Sequence, residues 1–523
     1  MATAQRGGTP RGARRGPLGR VRAAAAVILG RTAGATLRRL RLGGGTSLPG
    51  LIATTIDPDL ASYLGAQLRH GSAVVTGTNG KTTTSGLLAA VLRDAGLRVW
   101  HNREGANLLR GITASLMMRA GSTGRLRARG AAVAVFEVDE EAFGLVVPRL
   151  HPRVIVVNNL FRDQLDRYGE VDLVAERWRT ILANVPTSTV LALNADDPTV
   201  AALADGLPLE AVYFGVEDPG ASTPSRDASG EVIDTRTCPR CHATLEYSRR
   251  FYSHVGHWSC PACGFARPQP AFRALAVEAR DLDAMSFRLE TPEGAATVTL
   301  GLPGLYNVYN ALAAAAAGAR MGATLDATRT AIERFTPVFG RAERISVDGR
   351  EVRILLAKNP TGLNEVLRAL AGGSLTGDAP VTRHLLLMLN DRAADGEDVS
   401  WIWDADYERV AGLARSLVVS GNRAPDLAVR MKYAGVLGAP VPIGAAAGPG
   451  AGSNGASANG GPTAGDLPIT VEPRVGPALD AALANVAAGE TLYVVPTYTA
   501  MLAIRGELER RGYAPRYWEN LDR

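Results

Sequence analysis

One short stretch constrains this chain more than any other. Residues 72–76 (SAVVT) are apolar and β-rich, residues 77–84 read GTNGKTTT, and a helical pattern covers Thr83–Ala95. A strand that ends in a Gly-rich turn and then opens a helix leaves backbone N–H groups aimed at one point, where the helix dipole also favours an anion. Gly77 and Gly80 let the backbone curl, with Thr78 and Asn79 between them. Lys81 brings a point charge to phosphate oxygens, Thr82 can offer its hydroxyl to Mg²⁺, and Thr83 follows in the first helical turn. The longer phosphate-loop spacing would need Gly at position 75, where Val stands, so this is the shorter GxxGK[ST] form. The order of strand, loop, Lys-Thr and helix predicts nucleotide binding.

The surroundings of that loop predict an α/β fold. Val74–Val75, Ala132–Phe136, Val154–Val157 and Val190–Leu193 are short β-rich runs, and helical patterns such as Val171–Asn184 lie between them. Such alternation implies a parallel sheet covered by helices on both faces. Its carboxyl edge is where open α/β sheets bind ligands. Glu137, Asp139, Asp163 and Asp166 fall at or just past strand ends. Each can be a solvated loop charge; Glu137, directly after Val133–Phe136, reads as a Mg²⁺ ligand. The chain divides into a basic and Gly-rich segment 1–50, a central ATP-binding unit 51–336 that ends near an Ala-rich helix at Tyr309–Met321, and a second α/β unit 337–523. The last has expected strands near Arg353–Leu356, Leu385–Met388, Ser416–Val419 and Leu492–Val495. Residues 444–466, almost all Gly, Ala, Ser and Asn, bury too little apolar surface to order and read as a flexible loop.

All four cysteines lie within 26 residues, inside an insert at 235–268. Cys238-Pro-Arg-Cys241 and Cys260-Pro-Ala-Cys263 are separated by 18 residues. Two CxxC knuckles at this spacing can wrap four thiolates around Zn²⁺, and a closed four-thiolate site leaves no position for substrate. The insert reads as a structural zinc ribbon, with His254 and His257 spare.

GTNGKTTT resembles the ATP loop of the Mur ligase family, and more of that family's pattern follows in order. Glu137 sits where the family has a Mg²⁺-binding Glu. Asn158-Asn159 and Asp163–Gly169 resemble its N…DHLDRHG stretch, with Gln164 in place of the His that helps hold a second Mg²⁺. Asn194-Ala-Asp-Asp-Pro198 resembles LNxDDP. Pro303–Asn310 resembles PGxHNxxNxxAA, in which the residue matching Asn307 lies near adenine, and Tyr306 replaces the His. Gly340-Arg341-Ala-Glu343 resembles the GRxE junction into the C-terminal domain. The resemblance implies a Mur ligase-type central domain, a C-terminal Rossmann-like domain, and nucleotide contacts from Asn194, Asn307 and Arg341 beside the loop.

The C-terminal unit, with Asn390–Asp398 and Ser400-Trp-Ile-Trp-Asp404, resembles the branch of the family that serves as the synthetase subunit of lipid II isoglutaminyl synthase. That implies ATP-dependent amidation of the D-glutamate α-carboxylate of lipid II, through an acyl phosphate, with ammonia from a GatD-like glutaminase in a heterodimer. In that branch an Asp completes the glutaminase's Cys–His pair; Asp395, Asp391 and Asp398 are the candidates, in that order, though three Asp in eight residues are also an ordinary polar turn. An amino-acid-adding Mur ligase or a folylpolyglutamate synthetase-like ligase is the alternative, and the zinc insert counts against it. A regulatory ATP-binding scaffold is a further reading, and the presence of Lys81 and Glu137 counts against that one.

The net charge of +6 is modest for 523 residues and does not argue for nucleic acid. The excess is local: the first 45 residues hold ten Arg and no Asp or Glu. Such a segment is either a basic tail or a surface for anionic membrane lipids. No apolar run reaches the roughly 18 residues of a transmembrane helix, so a cytoplasmic chain, peripheral to the membrane at most, is expected.

Overall fold

The computed structural model describes residues 15–39, 47–102, 106–127, 132–162, 171–221, 235–280, 282–336, 341–371, 382–436, 441–442 and 468–515. The 163–169 stretch, the Gly/Ala-rich loop 444–466 and the first 14 residues fall outside them.

Among the described residues eleven strands precede residue 301: β1 (Ser72–Thr76), β2 (Arg98–His101), β3 (Ala132–Glu137), β4 (Val154–Val157), β5 (Val190–Asn194), β6 (Glu210–Val216), β7 (Glu246–Tyr252), β8 (Val255–Ser259), β9 (Phe272–Arg280), β10 (Ala284–Thr291) and β11 (Gly294–Leu300). Nine of them form one sheet in the order β11-β10-β9-β6-β5-β4-β1-β3-β2. The strands from β9 to β2 along this order run parallel, while β10 and β11 add an antiparallel edge. The sheet is therefore mixed, where strand–helix alternation alone predicts a parallel one. β1, β3 and β4 are buried along their whole length, which is why they read as unbroken apolar runs rather than alternating ones. One face is covered by helices Lys81–Asp94 and Leu305–Arg320. The other carries Pro17–Arg39, Ser47–Ile56, Leu109–Met118, Phe143–Leu150 and Val171–Leu182. Part of the basic N-terminal segment is thus a packed helix, with Ala23, Ala26 and Val27 fully buried.

β1 sits between β3 and β4, so the chain reverses its direction of travel across the sheet there. At such a switch point the loops after neighbouring strands part and leave a crevice. The loops after β1, β3 and β4 carry Gly77–Lys81, Glu137–Glu140 and Asn158–Asn159.

A second sheet begins at Arg341. Its strands are β12 (Arg341–Val347), β13 (Arg350–Leu355), β14 (Arg383–Met388), β15 (Ala414–Ser420), β16 (Val441–Pro442), β17 (Ile469–Val471) and β18 (Thr491–Pro496), in the order β12-β13-β18-β14-β15-β17-β16. All pairings are parallel except the β12–β13 hairpin. Apolar clusters on both faces make it a doubly covered layer.

The cysteine insert is a small β7–β8 hairpin joined to the first sheet by a buried charge cluster. Asp196, fully buried after β5, accepts from the Arg267 guanidinium, from the Tyr309 hydroxyl at 2.6 Å and from the Val216 N–H at 2.8 Å. Arg267 also reaches Glu217 at 2.7 Å. Four segments meet on one carboxylate, and removing a partner from a buried pair strands the other charge. Asp196→Ala should therefore cost about 3–5 kcal/mol in chemical denaturation; a loss below about 1 kcal/mol would show that the cluster does not anchor the insert.

Candidate functional site

The phosphate loop has the shape its sequence calls for. Gly77 and Gly80 sit at φ +126° and +84°, and a Cβ on Gly80 would run into the Asn310 amide. Helix Lys81–Asp94 starts directly after Gly80. Lys81 is buried, and its Nζ donates to Gly77 O at 2.6 Å, Thr78 O at 3.2 Å and Glu140 Oε2 at 2.9 Å. The ammonium thus folds back over its own loop. Glu140 is an unforeseen member of the site: a charge three residues past a strand end looks like any loop acid until its cation is located. Glu137 ends β3 opposite Val75 of β1, and both it and Thr82 are buried. These are hard oxygen donors, one at the end of β3 and one in the first turn of helix Lys81–Asp94, a set that fits Mg²⁺.

Side-chain amides hold the curled backbone. Asn159 Oδ1 accepts from Asn79 N–H at 2.8 Å, and Asn159 Nδ2 donates to Asn79 O at 3.2 Å. Thr78 exchanges hydrogen bonds with the Phe161 backbone at 2.9 and 3.2 Å. Asn158 donates to Thr84 Oγ1, and Thr84 donates to Asn310 Oδ1. Asn310 donates to Asn307, which donates to Pro303 O at 2.7 Å. Across the gap, Asn359 of the second sheet's domain donates to Asn79 Oδ1 at 3.0 Å while its own oxygen caps helix Pro360–Leu370.

Between the two domains lies an open cleft, with about 770 Å³ of empty space that includes open solvent. Asn79, Gly80 and Thr83 line its loop end, and Asn307 and Asn310 line the central-domain wall. Leu355, Thr361 and Glu365 come from the C-terminal domain, and Tyr252 from the tip of the β7–β8 hairpin. The cysteine insert therefore contributes to the cleft. Its tip is tied across to the C-terminal domain by Arg368, which donates to Phe251 O at 3.1 Å and pairs with Glu365. Asn194 lies elsewhere: fully buried in β5, it donates to Asn158 O and accepts from Asp196 N–H, ordering the strand end beneath the loop. Arg341 is the first residue of β12, paired with Leu355 at the cleft's edge.

The four cysteine sulfurs all lie within 4.8 Å of one another. Cys238 and Cys263 Sγ are 3.6 Å apart, and Cys241 and Cys260 3.5 Å. A tetrahedron with Zn–S near 2.3 Å has edges of about 3.8 Å, so the spacing suits a metal and is far too long for disulfides. The residue after each knuckle, His242 and Gly264, turns back with φ +61° and +72°. The Cys260 thiol is pulled down to about 7, with the Cys263 N–H as the first cause. Both histidines are used elsewhere: His254 faces Asp197 at 3.2 Å, fully buried, and His257 meets Val216 O at 2.8 Å.

The acidic turn follows β14 on the edge of the second sheet that faces the cleft. Asp395 is buried and accepts from the Thr499 N–H at 2.7 Å and from its hydroxyl, and burial pushes its carboxyl up. Asp391, half-buried, is held low by Arg423 at 2.9 Å and by Asn422. Asp398, exposed, is held low by the Ser400 N–H and hydroxyl. The SWIWD segment also reaches back, with Asp404 lying 3.7 Å from Arg162 of the central domain.

Comparison with known proteins matches both halves. Residues 75–239 fit the Mur ligase middle domain, and residues 356–501 the MurT ligase C-terminal domain. The MurT subunit of the glutamine-hydrolysing lipid II isoglutaminyl synthase of Staphylococcus aureus is 33% identical over 396 residues, 75% of this chain and 84% of that one. Its Streptococcus pneumoniae counterpart is 32% identical, over 76% and 83%. Among solved structures, a pseudomurein peptide ligase type C from Methanothermus fervidus aligns with TM-score 0.59 and 24% identity, over 84% of this chain and 78% of that one. The folylpolyglutamate synthase of Mycobacterium tuberculosis, complexed with ADP and AMPPCP, aligns with TM-score 0.55 and 14% identity, over 88% and 95%. The structural likenesses establish the fold; the sequence relatives, matched over most of their length, establish that this chain belongs to the MurT family of ATP-dependent, Mur-type ligases.

Proposed function

We propose that this chain amidates the α-carboxylate of the D-glutamate in the stem peptide of lipid II, giving D-isoglutamine, with ammonia delivered by a glutaminase partner of the GatD kind. The observation that supports it most is the combination of a nucleotide cleft with a MurT-type C-terminal domain, in a chain whose only thiols are gathered in one sulfur cluster. No cysteine is left to attack glutamine, so ammonia has to come from elsewhere.

In the first step a carboxylate oxygen attacks the γ-phosphorus of ATP, and ADP leaves with the bridging oxygen. In the second, ammonia attacks the acyl carbon, the C–N bond forms, phosphate leaves, and the surplus proton passes to water. The loop N–H groups and the helix Lys81–Asp94 dipole hold the phosphates. Lys81 has to release its loop carbonyls and turn to the phosphate oxygens, while Glu140 keeps its charge in place. Mg²⁺, held by Thr82 and Glu137, would offset the charge on the β- and γ-oxygens. Asn307 and Arg341 would contact the nucleotide at the cleft wall and edge, and Asn194 would act beneath the loop. The sulfur cluster would hold structural Zn²⁺. One of Asp395, Asp391 or Asp398 would orient the partner's histidine, as a carboxylate does in a catalytic triad. Asp395 would have to exchange Thr499 for that imidazole; the other two would exchange surface partners. Since lipid II is carried in the membrane, the chain would work at the membrane surface.

Lys81→Ala should abolish ATP-dependent amidation in a protein that still folds, with a lowered melt because buried Glu140 loses its cation; near-normal coupled turnover would sink the assignment. Metal analysis should find one zinc per chain, and Cys238→Ser should lose both metal and stability, because a structural site contributes folding free energy directly. Zinc-free protein of unchanged stability would refute the site. For the turn, Asp391→Asn, Asp395→Asn and Asp398→Asn are each assayed in the complex with glutamine or ammonium as nitrogen donor. At least one should lose glutamine use and keep ammonium use. If all three keep both donors the turn is structural, and if every loss strikes both donors equally the turn serves the synthetase cleft.

A further inference from the structure

Three helices on one face of the first sheet, Pro17–Arg39, Ser47–Ile56 and Leu109–Met118, contain no acidic residue. They pack closely: a Cβ on Gly30 would strike Met117, and one on Gly50 would strike the backbone of Arg110. The first helix is apolar on two sides. Ala23, Ala26 and Val27 are fully buried against the core. On the opposite side Leu18, Val21, Ile28 and Leu29 are 87%, 67%, 47% and 52% exposed. At 100° per residue these four fall within an arc of about 100°, a continuous stripe along the helix. Thirteen large apolar side chains stand out as exposed among the described residues, and seven of them, these four with Leu48, Leu108 and Met118, lie on or at the ends of these three helices. Scattered exposed leucines need no explanation, but a concentrated apolar stripe does.

Its charge says what covers it. Arg20, Arg22 and Arg39 are exposed on the same helix. Arg22 also donates to Ile56 O at 2.6 Å and Arg31 to Ala120 O at 2.9 Å, so guanidinium groups fringe the layer. Apolar stripe, cationic fringe and absence of acid match an anionic phospholipid surface, into which such a helix sinks its apolar side while its arginines meet the headgroups. No described helix is long and apolar enough to cross a membrane, so the contact would be in the plane of the surface. We propose that the exposed stripe Leu18–Val21–Ile28–Leu29 is a membrane-docking surface for anionic phospholipid. It deepens the proposed reading of a lipid-borne substrate and rests on that reading in its activity arm alone.

The test is cosedimentation of the full chain with vesicles of phosphatidylcholine, or of phosphatidylcholine with phosphatidylglycerol. The parent should bind the anionic vesicles, and binding should weaken as salt rises. A Leu18→Glu, Val21→Glu, Leu29→Glu triple variant should bind them about tenfold less at unchanged melting temperature, because all three side chains face solvent. In complex with the glutaminase it should amidate a water-soluble short-chain substrate at the parent's rate, and vesicle-embedded lipid II more slowly. A parent that ignores anionic vesicles, or a variant that binds them as well, overturns the proposal. A variant that instead splits a dimer of this chain or releases the glutaminase overturns it too, because another protein would then be the cover. Failure of amidation on the soluble substrate by the parent would sink the functional reading and leave the vesicle result standing.

Discussion

The site depends on keeping the curl of its phosphate loop open, and the Thr78 and Asn79 N–H groups are tied to Asn159 to do so. Left alone, Gly77–Gly80 would satisfy its amides by collapsing or by binding water. Here the outer side of the curl is held by Asn158, Asn159 and Asn310, whose amides take up the loop's remaining donors and acceptors or brace the turn after it. Each such bond is worth only about 0.5–1.5 kcal/mol net. Together they fix one conformation, and because none is charged they leave the electrostatics of the loop to Lys81, Glu137 and Glu140, with Glu365 on the facing wall of the cleft.

Everything else in the cleft is built outward from that loop. The sheet switch point brings three strand ends to it, and the second domain adds a wall through Leu355, Thr361 and Glu365. The cysteine hairpin, which looks in the chain like a detachable staple, reaches the cleft with Tyr252 and the C-terminal domain through Phe251. Holding four sulfurs together thus fixes more than the local knuckles: the buried Asp196–Arg267 cluster at its base and Arg368 at its tip couple the insert to both domains.

Strong local chemistry made much of this readable. β1, β3, β4 and β5 are buried runs of Val, Ile and Ala, and helix Lys81–Asp94 follows a glycine whose turn can only be one kind. The knuckles announced themselves by spacing. The antiparallel edge β9–β11 was not legible, because its alternating polar and apolar residues look like any surface hairpin until the partner strand is known. The pairing of Glu140 and the cross-domain contact of Asn359 were not legible for a different reason: their partners, Lys81 and Asn79, lie 59 and 280 residues away. Asn194 stood in a recognisable motif, yet its amide serves Asn158 and not the cleft, since a motif records what recurs together and not which member faces the ligand. The helix Pro17–Arg39 hid behind its arginines: a segment counted by charge does not display the alanines it buries.

The Asn79–Asn359 contact has a consequence for how the cleft opens. A hinge sealed by ion pairs must rehydrate two charges whenever it parts, so its opening responds to acidity and to dissolved salt. This seal is two carboxamides facing each other across the gap, one on the phosphate loop and one at the head of helix Pro360–Leu370. Neither partner ionises, and water can replace either bond at nearly equal energy. This contact at the loop is therefore insensitive to acidity and salt, unlike the Arg162–Asp404, Arg344–Asp283 and Arg353–Asp283 ion pairs that also join the two domains.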